Sequence, residues 1–355
     1  DMVATISADG MTIIWNIGPA YEYEVLVAHS EPVTQIAFGP DHKGERYLIT
    51  GSEDGTAQIW SMEPFRRLDS VNHGQGIEDV DFSPDGEMFM TAGMDGTAKL
   101  WQTSSLTLTL PPIKGQQGPI YAASFRPPTG EQIATGGNDG STQLWNSRTG
   151  EPIVEDNWHL STAVNVINFN NDGTRMIIGS ADGVSHIVNL VSREVITLPI
   201  AVSDVVYDAA LSSDDHDAFT ASSDGAVRRW RIDAASSSYQ RDIDSRLIEQ
   251  HQGAAYSINL DPSENLIASS GGDGKVYIRA IQTGKRVGTL SGVNVPIRSV
   301  RFSLDGRFLA TGDDDGIVRI YYARSEDLLK LAASRTTREF TPDECEQYDI
   351  HTECH

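Results

Sequence analysis

Short runs of apolar and β-branched residues alternate along the chain with turns rich in Asp, Asn and Gly. Residues 50–60 show the unit: two β-prone runs flank Asp54-Gly55, and Trp60 ends the second run. An Asp-Gly pair in this position predicts a tight hairpin, because the turn needs positive φ at both central residues. The aspartates of this unit recur at Asp9, Asp54, Asp95, Asp139, Asp182, Asp224, Asp273 and Asp315. Steps of 45, 41, 44, 43, 42, 49 and 42 residues separate them, so one unit is repeated down the chain.

Two further columns of the repeat keep their residue type. Six residues after each turn aspartate stand Trp15, Trp60, Trp101, Trp145, Val188, Trp230, Arg279 and Tyr321. Four residues before it stand Thr5, Thr50, Thr91, Thr135, Ile178, Thr220, Ser269 and Thr311. A period of ~40–45 residues with Trp after the turn indicates propeller blades. We therefore predict an all-β propeller of four-stranded antiparallel blades.

A histidine precedes some of the hairpins, at His29, His73 and His251. His, Thr, Asp and Trp in that order resemble the polar tetrad of WD-repeat propellers, over about residues 1–322. The resemblance implies that the turn Asp holds the His, the His holds the hydroxyl, and the hydroxyl reaches the indole N–H. Two complete sets are present: His29, Thr50, Asp54 and Trp60, then His73, Thr91, Asp95 and Trp101. Because a catalytic triad occurs once whereas these sets recur, we interpret them as structural.

Eight hairpins leave the number of blades open, because the first unit lacks an inner strand and the last lacks an obvious rim strand. If residues 21–28 serve as the rim strand of the blade containing Asp315, the ring has seven blades. The alternative is an eight-bladed ring with an incomplete first blade. We favour seven, since a missing inner strand would leave a hole in the core. The predicted regions are residues 1–20 (a partial blade, from an eighth blade or a preceding propeller), 21–322 (the propeller) and 323–355 (a tail).

The tail has a different pattern, with an apolar face over residues 325–334 and a helix start at Thr341-Pro342. It resembles the C-terminal extension of bacterial WD-repeat proteins in residues 328–333, in residues 340–345 and in Thr352-Glu353-Cys354, although Cys345 stands where that pattern has Trp. Such extensions commonly end proteins that begin with a STAND-type signalling ATPase, a kinase or a caspase-like protease. The resemblance, together with a first residue inside a repeat, predicts the C-terminal sensor or scaffold region of a larger bacterial signalling protein.

Charge and composition exclude some classes of partner. The formal net charge of −23 opposes binding to a phosphate backbone, so we expect no nucleic-acid partner. No run of 18 apolar residues is present, so we expect no membrane partner. The two cysteines, Cys345 and Cys354, lie outside the repeats, which suits a reducing, cytoplasmic location. Neither Asp313-Asp314-Asp315, with Asp315 committed to its turn, nor the terminal Cys and His residues match a metal pattern, and we predict no metal and no cofactor.

The candidate binding residues come from the inner strand of each unit. One column, four residues before the end of that strand, reads Thr34, Glu78, Tyr121, Asn165, Tyr207, Tyr256 and Arg298. Apolar neighbours such as Val33 and Ile36 flank it, so we predict that the column rings the mouth of the central channel. A second ring precedes the turn aspartates and includes Glu53, Met94 and Asn138.

Such chemistry is typical of protein recognition, so we predict a non-catalytic platform that binds a protein or peptide, or other domains of its own parent chain, at the channel face. The alternatives are tyrosines that only pack the channel entrance, a small-ligand or glycan site, and a propeller enzyme. An enzyme would need a lone set of acids or bases in the channel, where the column supplies only Glu78.

Overall fold

In the computed structural model, seven sheets are arranged as a closed ring of blades, which confirms the predicted all-β, seven-bladed propeller. The structure describes residues 2–6, 12–16, 21–41, 45–62, 64–198, 204–232 and 245–324. The predicted tail, residues 323–355, lies almost entirely outside them, and no helix occurs within them.

The strands of blades 1 to 4 follow the chain outwards from the channel. Blade 1 contains β4 (Val33–Phe38), β5 (Tyr47–Ser52), β6 (Thr56–Met62) and β7 (Phe65–Asn72). Blade 2 contains β8 (Ile77–Phe82), β9 (Met88–Gly93) and β10 (Ala98–Gln102). Blade 3 contains β11 (Ile120–Phe125), β12 (Gln132–Gly137), β13 (Ser141–Asn146) and β14 (Pro152–His159). Blade 4 contains β15 (Val164–Phe169), β16 (Arg175–Ser180), β17 (Ser185–Asn189) and β18 (Val195–Leu198).

The remaining blades complete the ring. Blade 5 contains β19 (Val206–Leu211), β20 (Asp217–Ser222), β21 (Ala226–Arg231) and β22 (Ser245–Gln250). Blade 6 contains β23 (Ala255–Leu260), β24 (Leu266–Gly271), β25 (Val276–Ala280) and β26 (Arg286–Leu290). Blade 7 contains β27 (Ile297–Phe302), β28 (Phe308–Asp313) and β29 (Ile317–Tyr322), and the early strand β3 (Tyr21–Val27) completes it. Two further strands, β1 (Met2–Ile6) and β2 (Thr12–Asn16), pair with each other in a separate sheet.

The ring closes through β3, which pairs antiparallel with β29 from Ile317↔Val27 to Tyr322↔Tyr21. The inner strands β27 and β4 then lie side by side, as every other pair of successive inner strands does. Closure of this kind leaves only short protected sheet edges and brings the two ends of residues 21–322 into one blade.

Blade 2 departs from the predicted four strands. Its fourth position holds an irregular segment, tied to β10 by isolated bridges at Ala98↔Ile113 and Trp101↔Leu108. Pro111 and Pro112 fall within that segment, and neither has an N–H for a ladder. The prediction of four strands is therefore wrong for this blade.

The core lies between the faces of adjacent blades. One cluster packs Ile49 and Ile59 of blade 1 against Ile77, Val80 and Phe82 of blade 2. Gly51 faces the same boundary, and a Cβ there would stand 2.8 Å from side-chain atoms of both Ile77 and Val80. The absence of a side chain lets the two blades approach each other. Gly51 is therefore required for packing between blades and not for a turn.

Candidate functional site

A β-bulge marks the start of every inner strand. In each blade the register with the second strand shifts across one residue, for example between Ile77 and Asp79. The residues at the shifts are the predicted column: Thr34, Glu78, Tyr121, Asn165, Tyr207, Tyr256 and Arg298. Because a bulge re-aims the side chains that follow, two consecutive residues of a strand turn away from the inter-blade core.

These seven residues line a central channel of about 430 Å³, together with Glu53 of the second predicted ring. The channel wall also contains polar residues that the column did not predict, notably Asp79, Asp81, Asp208 and Arg301.

Side chains of the channel wall tie each inner strand to the next one. Asp79 Oδ2 accepts the N–H of Ala123 at 2.9 Å, and Asp81 Oδ2 accepts that of Phe125 at 2.8 Å. Further bonds of this kind include Asp208 Oδ2 to Ile258 N, Asn259 Oδ1 to Phe302 N, Ser299 Oγ to Ile36 N and Asn168 Nδ2 to Ala209 O. Inner strands of different blades form no ladder with each other, so these side chains satisfy their exposed backbone groups.

Two members of the predicted column belong to this structural set. Thr34 Oγ1 lies 2.7 Å from the carbonyl oxygen of Ile77, and Asn165 Nδ2 donates to that of Val206 at 3.1 Å. The structure therefore separates them from the rest of the column.

The carboxyl groups of the channel wall have different surroundings. Burial raises the pKa of Asp79 to about 7 and that of Asp81 to about 6, even though backbone N–H groups act to lower both. Asp208 instead pairs with Arg301, whose Nη1 lies 3.2 Å from Asp208 Oδ2 and 2.7 Å from Ser257 Oγ.

One side of the channel mouth is an aromatic and guanidinium stack. The rings of Tyr207 and Tyr256 have centroids 5.2 Å apart, and the guanidinium carbon of Arg298 lies 5.2 Å from the Tyr256 centroid. Arg298 Nε donates to Asp314 Oδ1 at 2.6 Å, which fixes the guanidinium over the ring. Tyr207 remains 36% exposed, so its outer edge is open to a ligand.

The other side of the mouth carries two carboxylates. Glu78 is half-buried and Glu53 is exposed, and neither side chain forms an ion pair with any described residue. Burial raises the pKa of Glu78 to about 7, and the negative charge of Glu53 adds to the rise. Met94 is 44% exposed, and Tyr121 Oη donates to Asn138 Oδ1 at 3.4 Å. All these side chains come from blades 1 to 3.

The histidine sets lie within the blades, and none of their residues lines the channel. In blade 2, His73 Nε2 is 3.0 Å from Asp95 Oδ1, His73 Nδ1 is 2.7 Å from Thr91 Oγ1, and Trp101 Nε1 donates to the same hydroxyl at 3.0 Å. An ionised carboxylate only accepts, so His73 Nε2 donates to Asp95. The other nitrogen of the neutral imidazole then accepts from the Thr91 hydroxyl, which itself accepts from the indole N–H.

Blade 1 repeats the arrangement. His29 lies 3.1 Å from Asp54 and 2.8 Å from Thr50, and Trp60 Nε1 donates to Thr50 Oγ1 at 3.3 Å. Burial lowers the pKa of both histidines, which favours the neutral imidazole that this chain of bonds requires. Burial acts to raise the pKa of Asp95, but hydrogen bonds from Thr97 and Lys99 hold it at about 2.

The repeats that form these blades also match a known family. The family model described as WD domain, G-beta repeat matches residues 21–61, 65–102, 106–146, 244–279 and 284–321, more than half of the chain. The chain belongs to the WD-repeat family.

Its similarity to known WD-repeat proteins extends over most of its length. Apoptotic protease-activating factor 1 of Rattus norvegicus is 25% identical over 90% of this chain and 27% of its own. The human protein of the same name is 20% identical over 87% of this chain. Eukaryotic translation initiation factor 3 subunit I of Drosophila grimshawi is 34% identical over 27% of this chain and 28% of its own. The chain thus spans about a quarter of the length of these WD-repeat relatives.

The blades depart from the WD-repeat pattern in different ways. In blade 3, Gln116 replaces the histidine and donates to the carbonyl oxygens of Thr135 and Ser141. Blade 4 has Ile178 and Val188 at the hydroxyl and indole positions, and both are buried. Its repeat lies outside the ranges that match the family model.

Blade 6 replaces the indole by an ion cluster. Arg279 takes the Trp position, and its Nε donates to Glu249 Oε2 of blade 5 at 2.7 Å. Arg286 Nη2 donates to Glu249 Oε1 at 2.6 Å, and its guanidinium carbon lies 4.1 Å from the Tyr277 centroid. Burial acts to raise the pKa of Glu249, but hydrogen bonds from the two arginines hold it at about 2.

The triple aspartate of blade 7 is committed to other groups. Asp313 Oδ1 accepts the N–H groups of Asp315 and Ile317, so Asp313 caps the turn. The prediction that Asp315 does so is wrong. Asp313 also pairs with Arg319, and Asp314 with Arg298. No group of His, Cys, Asp or Glu that could hold a metal occurs among the described residues, which exclude Cys345 and Cys354. Within the same residues, no helix is long and apolar enough to span a membrane.

Proposed function

We propose that this propeller is a non-catalytic platform that binds a protein or peptide segment at its channel mouth. The observation that carries the proposal is that the polar groups of the histidine sets and of the channel wall have hydrogen-bond partners within the described part of the chain, whereas several side chains at the mouth do not. The histidine sets and the channel wall are internally hydrogen-bonded, whereas Tyr207, Glu53 and Glu78 present aromatic and carboxylate groups to the mouth, and Met94 of the second ring is exposed. Exposed aromatic and Met side chains around a concave opening are typical of protein interfaces.

The relatives support a role as a part of a larger assembly. Similarity to apoptotic protease-activating factor 1 runs over 90% of this chain but only 27% of the relative, and the initiation factor relative is named as a subunit. We infer that this chain is the sensor or scaffold region of a larger bacterial signalling protein in the cytoplasm. Other domains of that parent are then candidates for the bound partner, beside a separate protein.

An enzymatic role has less support from the channel. An enzyme would need a set of acids and bases that act together, and Glu78 has only the like-charged Glu53 beside it. The other two acids, Asp79 and Asp81, already accept backbone N–H groups of blade 3. A carboxylate whose oxygens are held this way is poorly placed to accept a substrate proton. A glycan or another small ligand would fit the tyrosines, but uncompensated carboxylates beside them favour a charged peptide.

The test compares three purified forms of the chain as baits in a cell lysate. They are the wild type, the mouth variant Tyr121→Ala/Tyr207→Ala/Tyr256→Ala, and a control, Val191→Ala/Leu247→Ala. Val191 and Leu247 are exposed apolar residues that do not line the channel, so the control removes apolar surface away from the mouth.

Circular dichroism establishes that all three forms are folded. We expect a protein captured by the wild type and the control, with capture lost for the mouth variant. Equal capture by all three would contradict binding at the mouth, and a glycan array that retains the wild type through the same tyrosines would favour the small-ligand alternative.

A further inference from the structure

The channel mouth already holds one cation, supplied by the chain itself. Arg298 lies between the face of Tyr256, at 5.2 Å from the ring centroid, and the carboxylate of Asp314, at 2.6 Å. An aromatic face and a carboxylate are the two groups that bind a guanidinium or ammonium group well. The mouth therefore shows with its own side chain how a basic group is held.

The same pair of groups recurs across the mouth without a cation. Glu78 of blade 2 and Tyr121 of blade 3 occupy neighbouring places in the ring, with Glu53 beside Glu78. Arg298, whose charge acts on Glu78, is committed to Asp314. No described residue forms an ion pair with Glu53 or Glu78, so three acidic side chains at this mouth share the charge of a single guanidinium.

The charge balance selects the sign of the ligand. A concave opening lined by excess carboxylates concentrates cations and repels anions, and the whole chain carries a formal charge of −23. An acidic or phosphorylated segment would meet repulsion from the mouth and from the surrounding surface. A purely apolar segment would desolvate both carboxyl groups without pairing either of them, which costs binding free energy.

We propose that the mouth anchors a lysine or arginine side chain of the bound peptide. Glu53 and Glu78 pair with its charge, and the rings of Tyr121 and Tyr207 pack against its aliphatic part. The inference rests on the proposed function and adds the chemistry of the anchor to it.

The experiment selects ligands from a random linear peptide library displayed on phage, with the purified wild-type chain as the target. The selected peptides are then synthesised and titrated against three forms of the chain. These forms are the wild type, Glu53→Gln/Glu78→Gln, and the matched control Glu87→Gln/Glu151→Gln. Glu87 and Glu151 are exposed and do not line the channel, so the control changes the net charge equally elsewhere.

We expect the selected peptides to share one basic position. Binding should weaken about tenfold or more in Glu53→Gln/Glu78→Gln, a loss of ~1.4 kcal/mol, and little in the control. Replacing the shared basic residue by norleucine should weaken wild-type binding by a similar factor and add little loss in the double variant.

Two results would overturn the inference in distinguishable ways. Peptides that bind through Tyr207 and Tyr256, lack a basic position and tolerate the Glu variants would leave the proposed function standing and remove the basic anchor. Failure to select any peptide, or selected peptides that are insensitive to the tyrosine variant, would remove binding of peptides at the mouth and the anchor with it.

Discussion

The turn network of blade 2 and the mouth of the channel use similar residues in opposite ways. His73, Thr91, Asp95 and Trp101 pass hydrogen bonds from one group to the next, and each polar atom of the chain of bonds has a partner. At the mouth, Glu53 and Glu78 repel each other, and no described residue forms an ion pair with either. Buried polar groups are stabilising when all of them are satisfied and costly when they are not. Under the proposed function, this difference separates residues that stabilise the fold from residues that bind the partner.

The ion cluster at blade 6 is structural, like the turn network of blade 2, although it contains a carboxylate, like the channel mouth. Glu249 is only 4% exposed in its side chain, and two arginines occupy its oxygens. It replaces a neutral Trp–hydroxyl bond by a paired charge between blades. Charge alone therefore does not distinguish the proposed binding residues Glu53 and Glu78 from a structural residue such as Glu249, whereas the presence of an ion pair does.

The largest expected effect on stability comes from breaking the blade 2 network at its centre. Thr91→Val keeps the shape of the side chain but leaves the Trp101 N–H and one His73 nitrogen without partners. Two buried polar groups left unsatisfied should lower the free energy of unfolding by about 3 kcal/mol. Urea denaturation measures the change, with Thr289→Val on the exposed face of β26 as the control.

Thr91→Ser sharpens this test because it keeps the hydroxyl, as Ser269 does in blade 6. We expect it to lose about 1 kcal/mol, the value of a buried methyl group. If the Ser and Val variants were equally stable, the hydroxyl would contribute nothing and the bond chain would not be what stabilises the blade.

A smaller loss is expected for Glu249→Gln, which removes the charge between Arg279 and Arg286. The amide still accepts one bond and Arg286 is partly exposed, so we expect a loss of about 2 kcal/mol at neutral pH. Since the folded pKa of Glu249 is about 2 against an ordinary 4.5, its contribution is present above pH 4.5 and is lost as pH falls towards 2.

The pH profile of unfolding provides the measurement, because the difference between wild type and Glu249→Gln should close at low pH. Glu151→Gln, a change at an exposed acid outside this cluster, should show no gap at either end. A constant gap would mean that the introduced amide disturbs packing and that the lost charge is not responsible.

Much of this architecture follows from local patterns. Asp-Gly turns, Trp and Thr columns and the spacing of the repeats predict the blades, and residues 21–28 predict the closing strand. The inner-strand bulge also has a signal, because the apolar residues Val33 and Ile36 are three positions apart, where strict alternation requires an even spacing. Applied to every inner strand, that spacing would have predicted that Asp79 and Asp81 line the channel beside Glu78.

Other features depend on partners that are distant in sequence. Glu249 meets Arg279 across a blade boundary 30 residues later, and Asp208 meets Arg301 after 93 residues. Neither residue carries a local pattern that names its partner. The same holds for Thr34 and Asn165, whose place in the column matches that of Tyr207 although their hydrogen bonds make them structural. Which polar groups lack a partner is a property of the assembled ring.

The last prediction concerns Glu78→Gln at the channel mouth, which should raise the free energy of unfolding where the variants above lower it. It tests the comparison between the turn network and the mouth most directly. Burial and Glu53 raise the pKa of Glu78 to about 7 from an ordinary 4.5, so the folded state holds this proton to a higher pH than the unfolded state. Wild-type stability contributed by Glu78 therefore falls as pH rises from 4.5 to about 7 and then stays low. Glu78→Gln does not titrate. The shift corresponds to at most roughly 3 kcal/mol at pH 8, and because Glu78 is partly exposed to solvent, screening reduces the expected gain in stability over the wild type to about 1 kcal/mol, with no difference below pH 4.5. Thermal unfolding at the two pH values measures the difference, with Glu151→Gln as the exposed control. A variant that gains stability while it loses binding identifies a residue kept at a cost to the fold, whereas a loss of stability at pH 8 would place Glu78 with the structural networks.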